Sequence, residues 1–410
     1  MTPLRKLRET VLARVRALPL AQHLWARVRK RRYEAHVARF LQDGSGRADR
    51  LPSGVVYEAT MRCNLHCDFC YVGDLLNIEG QWRDELAIDA LRTAFPEREG
   101  LQVNLTGGEI FMRKDILSVL ALFEDKGYDC GCLTTNGTII TEARAEALAE
   151  LALRGFLKHI SVSIDGPRDL HDVARGQKGT FDKTTAGIRR LREAAGRKGA
   201  PLRISINTTV AKESLETLDQ MVDVASELGI EAIGLNHLMY STPEEVKETL
   251  ALIGSDDPGV IATYVTANPM VRPSTVREKV ASLREKCRAK GIRFDFRPKV
   301  LTQLMDDYYD PGAKLAGRCL YPFNWARVSF SGKVYFCPFI RVEVGDLATQ
   351  TLEQVWNGEK YVAMRKRLLD AKLFPVCRRC CKVELSPEPL PREVQERARA
   401  PRAIPLTVVR

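Results

Sequence analysis

The sequence predicts an α/β protein: a parallel sheet with crossover helices, a helical extension before it and a small α+β unit after it. Six apolar, strand-like runs fall at 54–59, 101–105, 130–134, 158–164, 202–209 and 231–237, and helical segments near 84–95, 115–126, 142–153, 181–195 and 214–228 separate them. Strands alternating with helices of this length pair in parallel, because each crossover returns along the sheet before the next strand begins. Further on, two short β-like runs flank Ser331-Gly332 within Ala326 to Phe336, the pattern of a hairpin, and cysteines surround them.

In order, the chain divides into a basic helical extension (1–50), the strand–helix unit (51–240), a mostly helical and polar bridge (241–315), the cysteine-bearing unit (316–385) and an irregular Pro- and Arg-rich tail (386–410). With 410 residues, 45% of them apolar, there is material for a sizeable core. Eleven cysteines without a secretory signal point to a reducing, cytoplasmic setting and to metal or redox work rather than disulfides. No window approaches a transmembrane span.

Charge is concentrated at the start. Of the net +11, residues 1–50 hold +9, from 13 Lys or Arg against 4 Asp or Glu. Leu4, Leu7, Val11, Leu12, Val15 and Leu18 form one helical stripe; Leu24, Trp25, Val28, Val37, Phe40 and Leu41 form a second, beside Arg29-Lys30-Arg31-Arg32. Two readings stay open: peripheral contact with an anionic membrane face through residues 1–41, or a hairpin packed on the body with its basic face in water. Nucleic acid is not expected, since no aromatic stacking platform accompanies the charge.

The chemistry centres on CNLHCDFC, in which Cys63, Cys67 and Cys70 are spaced CxxxCxxC with Phe69 before the last. Three thiolates can hold three irons of a [4Fe–4S] cube and leave the fourth open. Zinc is the bland alternative, with His66 as a fourth ligand on spacing alone, but structural zinc sites are closed and usually pair two CxxC hooks.

This stretch, directly after the first strand-like run, resembles the signature of the radical S-adenosylmethionine (SAM) enzymes. The resemblance covers roughly 53–240 and implies a partial (βα)6 TIM-like barrel, whose working face is the C-terminal end of the strands. It also implies reductive cleavage of SAM to a 5′-deoxyadenosyl radical that abstracts a substrate hydrogen. Gly107, Gly108 and Glu109 end the second strand and resemble the motif that grips the methionine amino group. Asn136, Ser163, Asp165 and Asn207 end the next three strands and are implied polar contacts to the cofactor, with Phe69 and Tyr71 beside it; each is also a plausible turn former. The HDVARG stretch (His171 to Gly176) is either part of the substrate mouth or a capped loop.

A second set follows: Cys319, Cys337, Cys377 and Cys380, with Cys381 adjoining. Four cysteines on a hairpin and a helix over 352–369 suit zinc. Attached to a chain of this kind, they resemble the SPASM extension in its shorter twitch form, which implies one fully ligated auxiliary [4Fe–4S] cluster. Cys381 is a spare thiol or an alternative to Cys380. Cys130, Cys132 and Cys287 lack ligand spacing and are expected to be structural.

The function expected is a radical SAM oxidoreductase that oxidises or cross-links its substrate, the auxiliary cluster taking up an electron. A flavodoxin- or ferredoxin-like reductant and a small-molecule, lipid-linked or peptide substrate are the expected partners. The alternatives are a peptide maturase with a separate leader-binding partner and a non-catalytic iron–sulfur or zinc scaffold, against which the intact Gly107, Gly108 and Glu109 speak.

Overall fold

The computed structural model describes residues 43–300 and 302–385. The amphipathic stripes of the basic extension and the tail from 386 lie outside the described residues.

Among the described residues one sheet of ten strands organises the chain: β1 Gly54–Glu58, β2 Gln102–Thr106, β3 Asp129–Thr135, β4 His159–Ser163, β5 Arg203–Thr209, β6 Ala232–Asn236, β7 Arg293–Arg297, β8 Trp325–Val328, β9 Lys333–Tyr335 and β10 Glu343–Asp346. Their spatial order is β10-β9-β8-β1-β2-β3-β4-β5-β6-β7. From β8 across to β7 every pairing is parallel, and only the β8–β9–β10 meander is antiparallel. All six expected strands are present.

The sheet extends beyond them on both sides. Inside the stretch expected as a helical bridge, helix Pro273–Ala289 buries Val276, Val280, Leu283 and Cys287 on one stripe and returns the chain to β7, which pairs with β6. Cys287 is thus a packing residue. On the other side β8, the first strand of the expected hairpin, pairs with β1 in the register Val55↔Ala326. The C-terminal cysteine unit is therefore continuous with the main sheet.

One face of the sheet is apolar. Val103, Leu105, Leu133, Ile160, Val162 and Ile206 are fully buried there under the crossover helices. Tyr57, Phe95, Phe123 and Tyr128 join β1 to the helices Ile88–Ala94 and Ile116–Asp125 through edge-on ring contacts at 5.1–6.3 Å. Such contacts add about 0.5–1.5 kcal/mol each beyond area burial. Residues at alternate positions, among them Asn104, Thr134, Ser161, Ser163, Asn207 and Asn236, are small, polar and half-buried. These positions give the other face of the sheet a polar, half-buried row that runs from β2 to β6.

One expected helix is two. Helix Leu352–Trp356 stops and helix Glu359–Ala371 begins after the N-cap Gly358. The Trp356 carbonyl freed by the break accepts from Arg365 Nη1 at 2.7 Å, and Asn357 clasps the Ala48 backbone through both its amide atoms.

Candidate active site and cysteine centres

Between β1 and helix Ile88–Ala94 the chain makes the long loop that carries Cys63, Cys67 and Cys70. The amide of Asn77 holds the Cys63 backbone from both sides, with Cys63 N–H donating to Oδ1 at 2.9 Å and Nδ2 donating to Cys63 O at 3.0 Å. Arg62 forks onto Glu85 at 3.1 and 3.2 Å. His66 is exposed and, among the described residues, no three His, Cys, Asp or Glu side chains stand close enough to share one metal ion.

Gly107 and Gly108 seat this loop. A Cβ on Gly107 would stand 2.2 Å from Thr60 O, and one on Gly108 2.3 Å from Arg62 O. Without side chains, the end of β2 docks directly on the segment before Cys63, where Gly108 N–H donates to Thr60 O and Glu109 N–H to Arg62 O, each at 2.8 Å. The room that the two glycines leave is filled by the chain's own backbone.

Glu109 is fully buried. Its carboxylate accepts from Thr135 Oγ1 at 2.7 Å, Asn136 N–H at 2.6 Å and Phe111 N–H at 3.3 Å. Burial pushes its pKa up against the pull of these donors. Asn136 in turn reaches the cysteine loop, its Nδ2 donating to Asn64 Oδ1 at 2.9 Å while its Oδ1 accepts from Thr138 N–H at 2.9 Å. The ends of β2 and β3 and the cysteine loop form one polar lattice.

Asp165, after β4, is also fully buried; it accepts from Thr209 N–H at 2.7 Å and pairs with Arg175. The same guanidinium reaches Cys67 Sγ at 3.6 Å and lies 5.6 Å from the Phe69 ring centre. Gly176 packs against His66, where a Cβ would meet the His66 carbonyl at 2.4 Å. The HDVARG stretch thus braces the cysteine loop. Ser163 and Asn207 lie side by side in register on the polar face of the sheet, and Asn236 Nδ2 donates to Asn207 Oδ1 at 2.9 Å.

Burial pushes the thiols of all three loop cysteines up, Cys63 to about 11, while Leu65 N–H, Val72 N–H and Arg175 donate to the sulfurs of Cys63, Cys70 and Cys67. Three half-buried sulfurs, each with a donor, suit a group that takes thiolates and brings cations with it. An iron–sulfur cube does both.

The second set is tighter. Cys319, Cys337, Cys377, Cys380 and Cys381 lie within electrostatic reach of one another in a buried pocket. Burial raises Cys319 to about 12 and Cys337 to about 11. Ile340 N–H donates to Cys337 Sγ at 3.2 Å and Lys382 N–H to Cys380 Sγ at 3.4 Å. The Cys380 thiol holds its neighbour Cys381 below the usual thiol range. Cys132 stands apart on the polar face of the sheet and Cys130 in the apolar core, and among the described residues all cysteines are free.

Sequence reasoning missed the reach of Arg175 to Cys67, the brace from Asn64 to Asn136, and the ion cluster of Glu58 with Arg327 and Arg341. The only local signal was a Glu ending an otherwise apolar strand.

A parallel barrel-type sheet with a three-cysteine loop at its C-terminal edge and a buried second cysteine set defines an iron–sulfur enzyme. The family model of the Radical SAM superfamily matches residues 57–225, and that of an iron–sulfur cluster-binding domain, SPASM, matches 319–381; the chain belongs to the radical SAM superfamily and carries a SPASM domain. Its cofactors are accordingly SAM, a SAM-binding [4Fe–4S] cluster and an auxiliary one. Among curated relatives, an AdoMet-dependent heme synthase of Oleidesulfovibrio alaskensis is 25% identical over 80% of this chain and 79% of its own. A PqqA peptide cyclase of Granulibacter bethesdensis is 26% identical over 75% and 74%. The solved structure of Streptococcus suis SuiB covers 88% of this chain and 78% of its own at TM-score 0.53 and 18% identity, a likeness of fold. Among the described residues no helix is long and apolar enough to cross a membrane.

Proposed function

We propose that the chain is an oxidoreductase in which Cys63, Cys67 and Cys70 hold the SAM-binding cluster and Cys319, Cys337, Cys377 and Cys380 the auxiliary one. The observation that carries this reading is the shared lattice of the Cys63–Cys70 loop, Glu109 and Asn136 at the strand ends. Held by these cysteines, the first cluster with SAM would supply hydrogen-abstracting radical chemistry and the auxiliary cluster would supply an electron acceptor.

The chain's own residues do the positioning. Gly107 and Gly108 press the strand end onto the loop, so the buried Glu109 carboxylate sits beside the cysteines and offers its one remaining lone-pair site, on Oε2, to the methionine ammonium. Ser163 and Asn207, with Asn136 near them, present hydroxyl and amide groups to the ribose and methionine carboxylate. Phe69 and Tyr71 flank the loop, and Asp165 acts indirectly by holding Arg175 at Cys67. The polar wall from Asn104 to Asn236 receives the substrate, and reducing electrons come from a flavodoxin- or ferredoxin-like carrier.

The heme synthase matches over 77–80% of the chain favour a small-molecule substrate. A peptide held by a separate leader-binding partner is the second reading, favoured by the peptide cyclase match over 75% of the chain.

Iron analysis after anaerobic reconstitution tests the two-cluster assignment. The expected result is about eight iron per chain, because two cubes need seven thiolates from these motifs, falling to about four on replacing Cys63, Cys67 and Cys70. Four iron with zinc at the C-terminal cysteines would overturn it.

A further inference from the structure

Glu58 closes β1, buried to 1% exposure, and two guanidiniums converge on it. Arg327, from β8, donates through Nε and Nη2 to Oε1 at 3.0 and 2.6 Å. Arg341 donates through Nη1 to Oε1 at 2.8 Å and through Nη2 to Oε2 at 2.9 Å. Burial opposes ionisation of Glu58, but the two arginines outweigh it and hold the carboxyl down at about 2. All three groups are therefore charged, and among the described residues neither arginine has an ion pair with a second carboxylate. The cluster carries one surplus positive charge, with side chains only 1–7% exposed.

A buried charge without a counter-ion costs several kcal/mol, so its surroundings should supply one. Its position shows where. Arg341 follows the Cys337 turn, in which Cys337 N–H donates to Ile340 O at 3.1 Å and Ile340 N–H to Cys337 Sγ at 3.2 Å. On the other side Arg327 Nη2 donates to Tyr71 OH at 3.0 Å, directly after Cys70, and the Tyr71 ring meets Phe339 edge-on at 5.4 Å. The surplus charge thus joins the two cysteine sets, through Tyr71 next to Cys70 on one side and through Arg341 at the end of the Cys337 turn on the other.

Resting on the auxiliary-cluster assignment above, we propose that Arg327 and Arg341, clamped by Glu58, are positioning residues that set the potential of the auxiliary cluster. An iron–sulfur cluster's potential depends on nearby charge and on donors to its sulfurs. Taking one electron adds one negative charge to the cluster, and a buried cation beside Cys337 stabilises the reduced form. The donor in turnover is the substrate radical, which loses that electron and a proton to become the oxidised product; no bond of the cluster changes.

The test is an EPR-monitored redox titration of the full chain with Cys63, Cys67 and Cys70 replaced by Ala, so that only the auxiliary cluster is observed. Arg341→Gln should shift its midpoint to a more negative value, Arg341→Lys should stay near the parent, and Glu58→Gln, which removes the clamp's negative charge, should shift it to a more positive value. Opposite signs for loss of a cation and loss of an anion are not produced by general loosening of the pocket. Unchanged midpoints, or shifts of the same sign in Arg341→Gln and Glu58→Gln, would overturn the proposal. Should Glu58→Gln fail to fold, the Arg341 pair decides: equal shifts in Gln and Lys, or none in either, contradict it. Absence of iron at the C-terminal cysteines of the parent would instead overturn the auxiliary-cluster assignment itself.

Discussion

Arg175 Nη1 lies 3.6 Å from the sulfur of Cys67, held there because the same guanidinium is paired with the fully buried carboxylate of Asp165. Removing one partner of a buried pair leaves the other charge uncompensated, typically at about 3–5 kcal/mol. Arg175→Met should therefore lower the unfolding free energy by that order in a urea titration, and should also release the iron of the first cysteine set. Unchanged stability in this variant would show that the pair is not formed in solution.

Gly108→Ala tests the docking of β2 on the cysteine loop. Its Cβ would stand 2.3 Å from Arg62 O, a backbone atom that cannot swing away. The variant should lose about four of eight iron per chain and keep the auxiliary set. Gly196 is the control: it lies within helix Thr180–Lys198 with open space around it. There Ala should stabilise by about 0.5–1 kcal/mol.

Glu109→Ala removes the charged acceptor proposed for the methionine ammonium. A charge-assisted hydrogen bond is worth about 1.5–3 kcal/mol, so SAM affinity should fall roughly ten- to a hundredfold. Equilibrium dialysis with reconstituted protein reads this. Thr135→Val, which removes one donor to the same carboxylate, should cost less.

Burial holds His237 neutral down to about 4, and burial together with Arg175 holds His171 neutral to about 3. In the unfolded chain both titrate near 6.5. Between those values the unfolded state binds more protons, so stability rises with pH: it is unimpaired above about 6.5 and falls as the pH drops towards 4. At pH 5 the loss is up to about 2 kcal/mol per ring. Urea midpoints of the metal-free chain at pH 7 and pH 5 measure it, and His237→Phe should remove part of the difference.

The parallel sheet was legible because β1 to β6 are locally patterned, and helix Glu142–Leu153 has the boundaries its sequence predicts. The cysteine spacings were legible for the same reason: ligands on one loop are neighbours in sequence. Strand β7, reading RFDFR, alternates charge and aromatic rings as an edge strand does, yet it sits in a polar, helix-rich stretch. The Glu58 cluster left only a Glu at the end of an apolar strand as a local sign, because its partners are 269 and 283 residues away. Nor could spacing show that Gly107 and Gly108 accommodate backbone, since a glycine's need for room names no neighbour. The break at Asn357-Gly358 was hidden by apolar periodicity that continues across it.

The central claim is that this chain uses its cysteine loop to cleave SAM. The most direct measurement is the 5′-deoxyadenosine and methionine formed on adding dithionite to anaerobically reconstituted protein with SAM, beside the Cys63, Cys67 and Cys70 to Ala variant. The wild type should form both products in equal amounts and the variant none above background, even though the variant keeps its auxiliary iron. A wild type carrying its full iron complement that forms no 5′-deoxyadenosine would contradict it.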